Sequence, residues 1–452
     1  IMLGLEPWQT VISAGLVTVT FSALGGFRGV VYTDFLLFFV AMAGSIGAAY
    51  YLVNIPEVGG IQALLANENV ADKLSILPDF SDADAMITLL IIPLAVQWWS
   101  SWYPGAEPGG GGYIAQRMLA SKNENHAIGA TLFFNIMHYA LRPWPWILVA
   151  LASLVVFPDL ASIKDAFPNI ADDKLGHDLA YSAMLVKLPT GLLGLVLASL
   201  IAAYMSTIST QLNWGSSYMV FDFYKNQINP NASEKRLVAV GRISTVVLMI
   251  LSAMLALLLQ SALQIFDILL TFGAGTGLIF ILRWFWWRIN AWSEISAMFS
   301  SGIISILLKL TPLGAFFFDA ETGLMPSWSE FPMIVLVTSF IWIGVTYITQ
   351  PESNEVLQSF YKKIQPGGPG WNKVVKDAEA ENIDIKDKDV EWSVPSGILA
   401  MLLGCGMIYS AMFATGYWIY GEQQNAIVAT TGAVISAFFL IKIWKKIKVN
   451  VL

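Results

Sequence analysis

Residues 202–213 read Ala202-Ala203-Tyr204-Met205-Ser206-Thr207-Ile208-Ser209-Thr210-Gln211-Leu212-Asn213, set inside an apolar run. At 3.6 residues per turn, Ala203, Ser206, Thr207 and Thr210 share one helix face, with Asn213 near its edge. The hydroxyls of Ser206 and Thr207 beside the Ala203 carbonyl form an all-oxygen set without formal charge, which suits a hard monovalent cation. A second reading of the stripe is structural: Ser and Thr in membrane helices hydrogen-bond back to the preceding turn or tie helices together. The residues alone leave both readings open.

Two further features carry chemistry. The segment Gln97-Trp98-Trp99-Ser100-Ser101-Trp102-Tyr103 runs into Pro104-Gly105-Ala106-Glu107-Pro108-Gly109-Gly110-Gly111-Gly112, whose prolines and glycines break a helical hydrogen-bond ladder. Inside a membrane an unwound stretch is tolerated only where it lines a cavity, and transporters use broken helices there. The alternative is a plain loop before an interfacial helix. Trp99, Trp102 and Tyr103 suit stacking on a sugar ring or an apolar side chain, and equally suit an interfacial belt. Ionisable groups inside apolar runs form the other feature. Asp34 follows Tyr32-Thr33; Asn135, His138 and Arg142 fall on one helix face beside Pro143 and Pro145; and Gln264 and Asp267 open a later run. Asp34 and Asp267 also fit interfacial caps, His138 a satisfied core histidine, and Arg142 a snorkelling side chain.

The elements that must position these residues are helices in lipid. Of the 452 residues 56% are hydrophobic and 13% charged, against about 25% charged in soluble domains, and mean hydropathy is +0.63. Windows of about 20 apolar residues fall at 8–24, 30–53, 86–103, 128–157, 190–219, 237–259, 266–285, 292–310, 331–349, 394–413 and 426–443. If the loop at Arg28 is cytoplasmic, alternation from there puts most of the 25 Lys and Arg on that side, leaving Lys73, Lys164, Lys174, Lys187 and Lys309 outside. The outer connections, 54–84 and 158–187, are expected to carry short surface helices. Residues 350–392, with their alternating charges, read as a solvated cytoplasmic connector.

These features exclude whole classes of function. A formal net charge of -7 argues against nucleic-acid binding. A single cysteine, Cys405, excludes an intrachain disulfide framework or a CxxC site. GxxxxGK[ST], HExxH and a catalytic triad are absent from the pattern, so neither a nucleotide-driven pump nor an enzyme is expected.

Three segments carry a family resemblance: Gly25-Gly26-Phe27-Arg28-Gly29-Val30-Val31-Tyr32-Thr33-Asp34, Tyr113-Ile114-Ala115-Gln116-Arg117-Met118-Leu119-Ala120, and the 202–212 stretch continuing to Asp222-Phe223-Tyr224-Lys225. In order and spacing over roughly residues 8–310 they resemble the sodium:solute symporter family, which includes sodium-coupled sugar, proline and sialic acid transporters. The resemblance implies an all-α integral membrane protein with the LeuT-like inverted-repeat fold, alternating access and about 11 transmembrane helices present. The first two spans then match the fourth and fifth core helices, and the chain, which begins at Ile1, is expected to lack the core helices before them. The main sodium site would take the Ala203 carbonyl, Ser206 and Thr207. A second sodium would take Ser209, Thr210 and Asp34. The substrate-facing lysine of the sugar transporters falls on His138, and Trp99, Trp102, Tyr103 and Gln264 complete the candidate solute contacts. The Pro104 to Gly112 insertion departs from the family, so no named member's pocket transfers.

The expected organisation is a transporter core over 1–310, an outer loop and helix over 311–349, the linker over 350–393, and two helices with a basic tail over 394–452. The expected protein sits in the cell membrane with linker and C-terminus cytoplasmic. It takes sodium as coupling ion and a small organic solute (sugar, amino acid or carboxylate) as partner, needs no cofactor, and binds no nucleic acid. The alternative is a transporter-like sensor or anchoring module without transport.

Overall fold

The structure, a computed structural model, describes residues 6–100, 112–172, 175–258, 275–310, 327–387, 392 and 394–447. The described residues are helical with connecting turns, and eight of their helical stretches are long and apolar enough to cross a membrane. In chain order the main helices are α1 (Pro7–Val53), α2 (Glu124–Asn135), α3 (Pro143–Val156), α4 (Thr190–Ser217), α5 (Glu234–Leu258) and α6 (Gly277–Phe285). There follow α7 (Ala291–Leu310), α8 (Ser327–Ile348), α9 (Asn354–Ile364), α10 (Asn372–Ala380), α11 (Val394–Tyr420) and α12 (Gln423–Ile447).

Three expected windows differ. The first two are one continuous helix, α1, of 47 residues. No proline interrupts it after Pro7, and Gly25, Gly26 and Gly29 weaken a helix without removing a hydrogen bond. The loop at Arg28, which anchored the alternation of sides, is therefore helix. The third window is a shorter apolar stretch, Ala83–Gln97, wound as π-helix over Ile87–Ile91 and Pro93–Gln97. Residues 266–274 of the seventh lie outside the described set.

The chain divides into two compact units, residues 1–75, 134–262 and 408–431 in one, 76–133, 263–407 and 432–452 in the other. In the first unit α1 and α4 run antiparallel at close range. A Cβ on Gly44 would meet the Ser199 Oγ at 3.1 Å and one on Gly47 the Leu192 side chain at 3.0 Å, so small residues bring the backbones together. The same pair of helices buries Ala48, Leu52 and Val196. Helix α5 joins through the Ser216 hydroxyl, which donates to the Gly241 carbonyl at 2.9 Å. The expected surface helices are present at Ile61–Ala66, Glu68–Ala71, Leu160–Ala166 and Leu179–Leu185, and they bury Leu64, Val70, Ile163, Met184 and Leu185.

In the second unit α7 pairs with α8, joined by a 2.6 Å hydrogen bond between the Ser293 and Thr346 hydroxyls, both buried. The segment read as a solvated connector is instead folded. Helices α9 and α10 form a hairpin around Leu357, Tyr361, Trp371, Val374, Val375 and Ala378. Alternating charges hid an apolar stripe at helical spacing, Val374, Val375 and Ala378 on α10, that needs only a short partner helix to be buried. The hairpin docks on the end of α6: the Trp371 indole N–H donates to the Trp284 carbonyl at 2.9 Å, and the Trp287 N–H donates to the Gly370 carbonyl at 3.3 Å. Gly370 lies against the Phe285 carbonyl with no room for a Cβ.

Gly370→Ala should therefore lift the hairpin from α6. Tryptic cleavage at Lys362, Lys363 and Lys373 is expected to run several-fold faster in the variant than in the parent. Equal cleavage rates would mean that Gly370 does not hold the docked position.

Candidate functional site

The hydroxyl stripe lies on α4, within the first unit. Its neighbours follow the structural reading: Thr18 donates to the Ala14 carbonyl at 2.8 Å, Ser45 to Ala41 at 2.6 Å, Ser199 to Val196 at 2.8 Å and Ser217 to Trp214 at 2.6 Å. Ser209 does the same, its Oγ donating to the Ser206 carbonyl at 3.1 Å. The hydroxyls of Ser206 and Thr207 do not: among the described residues neither has a hydrogen-bond partner. Ser206 is half-buried and Thr207 exposed, one turn beyond the half-buried Ala203. These two adjacent hydroxyls in an apolar helix thus have their protons as well as their lone pairs unengaged among the described residues, whereas Ser209 and Thr210 are packed inside at 0% and 6% exposure.

Two residues that the spacing did not single out tie this turn to α1. Ser22, 3% exposed, donates from Oγ to the Ser209 carbonyl at 3.4 Å, and Asn213 donates from Nδ2 to the same carbonyl at 3.2 Å and to Ser22 Oγ at 3.1 Å. The available signal for Ser22 was its i, i+4 spacing from Thr18, which puts both hydroxyls on one face of α1. Asp34 is half-buried on α1, twelve residues beyond Ser22.

His138 lies where α2 passes into α3 through π-helical turns, Ile136–Leu141. Pro143 and Pro145 have no N–H for the carbonyls one turn earlier, and the ladder shifts register, with the Arg142 N–H reaching the Met137 carbonyl at 3.0 Å. The regular i, i+3, i+7 face expected for Asn135, His138 and Arg142 is thereby rewound. His138 and Arg142 still meet: Arg142 Nη1 stands 3.0 Å from His138 Nδ1. A guanidinium only donates, so Nδ1 accepts, the ring is neutral, and its proton sits on Nε2. Phe134 stacks on the imidazole at 5.0 Å and the Arg142 guanidinium lies over Trp146 at 5.7 Å. The pair presents one imidazole N–H and a cation held by aromatic and imidazole neighbours.

Trp99 belongs to the second unit, packed with Leu308, Ile334 and Val335, and its indole donates to the Ala95 carbonyl of its own helix at 2.7 Å. Trp102, Tyr103 and Gln264, like Asp267 and most of the Pro104 to Gly112 insertion, lie outside the described residues.

Comparison with known proteins adds to this geometry. The model of the sodium:solute symporter family matches residues 1–301. A sodium/glucose cotransporter of Vibrio parahaemolyticus is 27% identical over 334 residues, covering 70% of this chain and 60% of that protein. The sodium/myo-inositol cotransporter 2 of Homo sapiens is 27% identical over 399 residues, covering 78% of this chain and 56% of that protein. The chain thus spans less than two thirds of the length of these relatives. A solved structure of a Na+-coupled sialic acid symporter, in a substrate-bound outward-open state, superposes with a TM-score of 0.54 at 19% identity, over 78% of this chain and 69% of that one. That likeness shows a LeuT-like helical fold.

The tautomer of His138 is directly measurable. Solid-state 15N spectra of histidine-labelled protein should contain one imidazole with its proton on Nε2 and an unprotonated Nδ1 at neutral pH, assigned by its loss in His138→Phe. A protonated Nδ1 on that ring would refute the Arg142 contact.

Proposed function

Since the chain belongs to the sodium:solute symporter family, we propose that it works as a sodium-driven symporter carrying a small organic solute across the cell membrane by alternating access. The carrying observation is the pair of hydroxyls at Ser206 and Thr207, without a hydrogen-bond partner among the described residues, on a helix where Ser209 and Ser217 are engaged with carbonyls. Neutral hydroxyl oxygens suit a hard monovalent cation, which needs oxygen ligands and little formal charge. The Ala203 carbonyl one turn earlier supplies a third oxygen, and Ser209, Thr210 and Asp34 are the candidate ligands of a second ion. The relatives carry glucose and myo-inositol by name, and the structural neighbour carries sialic acid. His138 and Arg142 support a polyol or carboxylate solute, since an Nε2–H donor and a guanidinium both direct hydrogens toward oxygen. The α9–α10 hairpin and the C-terminus are read as cytoplasmic, in keeping with their lysines.

The driving force has a definite size. One sodium moving down 100 mV and a tenfold gradient releases about 3.7 kcal/mol, which supports roughly 500-fold accumulation of a neutral solute. Uptake in vesicles that accumulates solute only with an inward sodium gradient supports symport. Flux without accumulation indicates a channel, and binding without flux a sensor or anchoring module.

Loss of an oxygen ligand to a charged group costs about 1.5 to 3 kcal/mol. Ser206→Ala or Thr207→Ala should therefore raise the half-saturating sodium concentration roughly 10- to 150-fold. Ser217→Ala serves as control because its hydroxyl is held by the Trp214 carbonyl, whereas Ser216 bridges to α5. Unchanged sodium dependence in both ligand variants would return the stripe to a structural role. For the second ion, the Hill coefficient for sodium should exceed one and fall toward one in Asp34→Asn. A coefficient of one in the parent protein would remove the second site.

A further inference from the structure

Asn213 closes a hydrogen-bond circuit in which the hydrogens of three side chains are accounted for. The two hydrogens of its Nδ2 go to Ser22 Oγ at 3.1 Å and to the Ser209 carbonyl at 3.2 Å. The single hydrogen of Ser22 goes to that same carbonyl at 3.4 Å, and the single hydrogen of Ser209 goes back to the Ser206 carbonyl at 3.1 Å. Ser22 and Ser209 are buried, so no water competes for these donors. The circuit crosses from α1 to α4, and its far end is the backbone of Ser206, whose side chain is a candidate sodium ligand.

Packing α1 against α4 does not by itself require an amide at the half-buried position 213, and an amide withdrawn from water is costly unless its donors are used, as both are here. What the amide adds is direction: it fixes the Ser209 carbonyl in place and with it the turn that orients Ser206 and Thr207. A ligand oxygen displaced by a fraction of an ångström no longer meets the ion at contact distance, so the turn must be held from outside its own helix.

We infer that Asn213 and Ser22 are positioning residues for the sodium-binding turn of α4, coupling that turn to α1 without touching the ion. This rests on the reading of Ser206 and Thr207 as sodium ligands. Helix α1 then senses sodium through Ser22, and any displacement of α1 relative to α4 changes the affinity of the turn for the ion.

The test uses sodium itself as probe, with purified protein in detergent. The concentration of sodium chloride giving half-maximal thermal stabilisation is measured against choline chloride at constant ionic strength. Asn213→Ala and Ser22→Ala are each expected to raise it about 5- to 30-fold, as expected for loss of one hydrogen bond of about 1 to 2 kcal/mol. Ser22→Thr, which retains the hydroxyl, should restore it to within about twofold, and the double variant should be no worse than the poorer single because both act on one carbonyl. Variants that lower the melting temperature in choline without moving the sodium midpoint would overturn the inference and make the circuit a helix fastening only. So would sodium midpoints that multiply in the double variant. If Asn213→Ala does not fold, Ser22→Ala against Ser22→Thr decides the question alone. Ser206→Ala, run in parallel, separates the two levels: if it leaves the midpoint unchanged, the sodium reading fails and the inference with it. If Ser206→Ala shifts the midpoint and the Ser22 and Asn213 variants do not, only the positioning role fails.

Discussion

In hydrocarbon a hydroxyl without a partner is costly, so a serine or threonine in a membrane helix normally turns its proton onto the carbonyl one turn back. The first unit keeps this rule at Thr18, Ser45, Ser199, Ser209 and Ser217, whereas among the described residues the hydroxyls of Ser206 and Thr207, like that of Ser244 on α5, have no hydrogen-bond partner. That departure is what the rest of the unit supports. Gly44 and Gly47 let α1 and α4 approach closely at one end, and further along Ser22 meets the Ser209 carbonyl and Asn213. An exception to local satisfaction is stable when the groups around it are over-determined, as they are here.

Proline produces the second departure from regular helix. Pro143 and Pro145 remove two donors, the ladder between α2 and α3 widens into π-helical turns, and the Arg142 N–H reaches back to the Met137 carbonyl. Across this turn the Arg142 guanidinium donates to His138 Nδ1, which places the imidazole proton on Nε2. Pro93 lies within a comparable π-wound stretch in the second unit. In both places a backbone defect accompanies polar or aromatic side chains, in line with the general association of π-turns with functional sites.

The second unit is organised by a different economy of small residues. Gly370 fits against the Phe285 carbonyl, and the Trp371 indole caps the Trp284 carbonyl at the end of α6. The last carbonyls of a helix have no partner within it, so a hairpin that supplies an indole donor there is joined to the helix as well as packed on it. The charges of α9 and α10 stay outside while Leu357, Tyr361, Val374 and Val375 form the interior.

Family membership, the helical membrane class and the hydroxyl stripe were legible in the sequence because they depend on composition, local spacing and motif order. Periodicity identified most of the spans for the same reason: a membrane helix satisfies its own backbone, so its signal is contained within one stretch of chain. The continuity of α1 was not legible, because glycine pairs and a lone arginine resemble a loop in composition, although they leave the hydrogen-bond ladder intact. The α9–α10 core was hidden by its charges, since the apolar stripe is short and becomes visible only once two short helices face each other. The open state of Ser206 and Thr207 was likewise beyond the pattern. Spacing puts hydroxyls on a face, but which of them bond back depends on rotamers and neighbours, and the neighbour that decides here, Ser22, is distant in sequence and adjacent only in the fold.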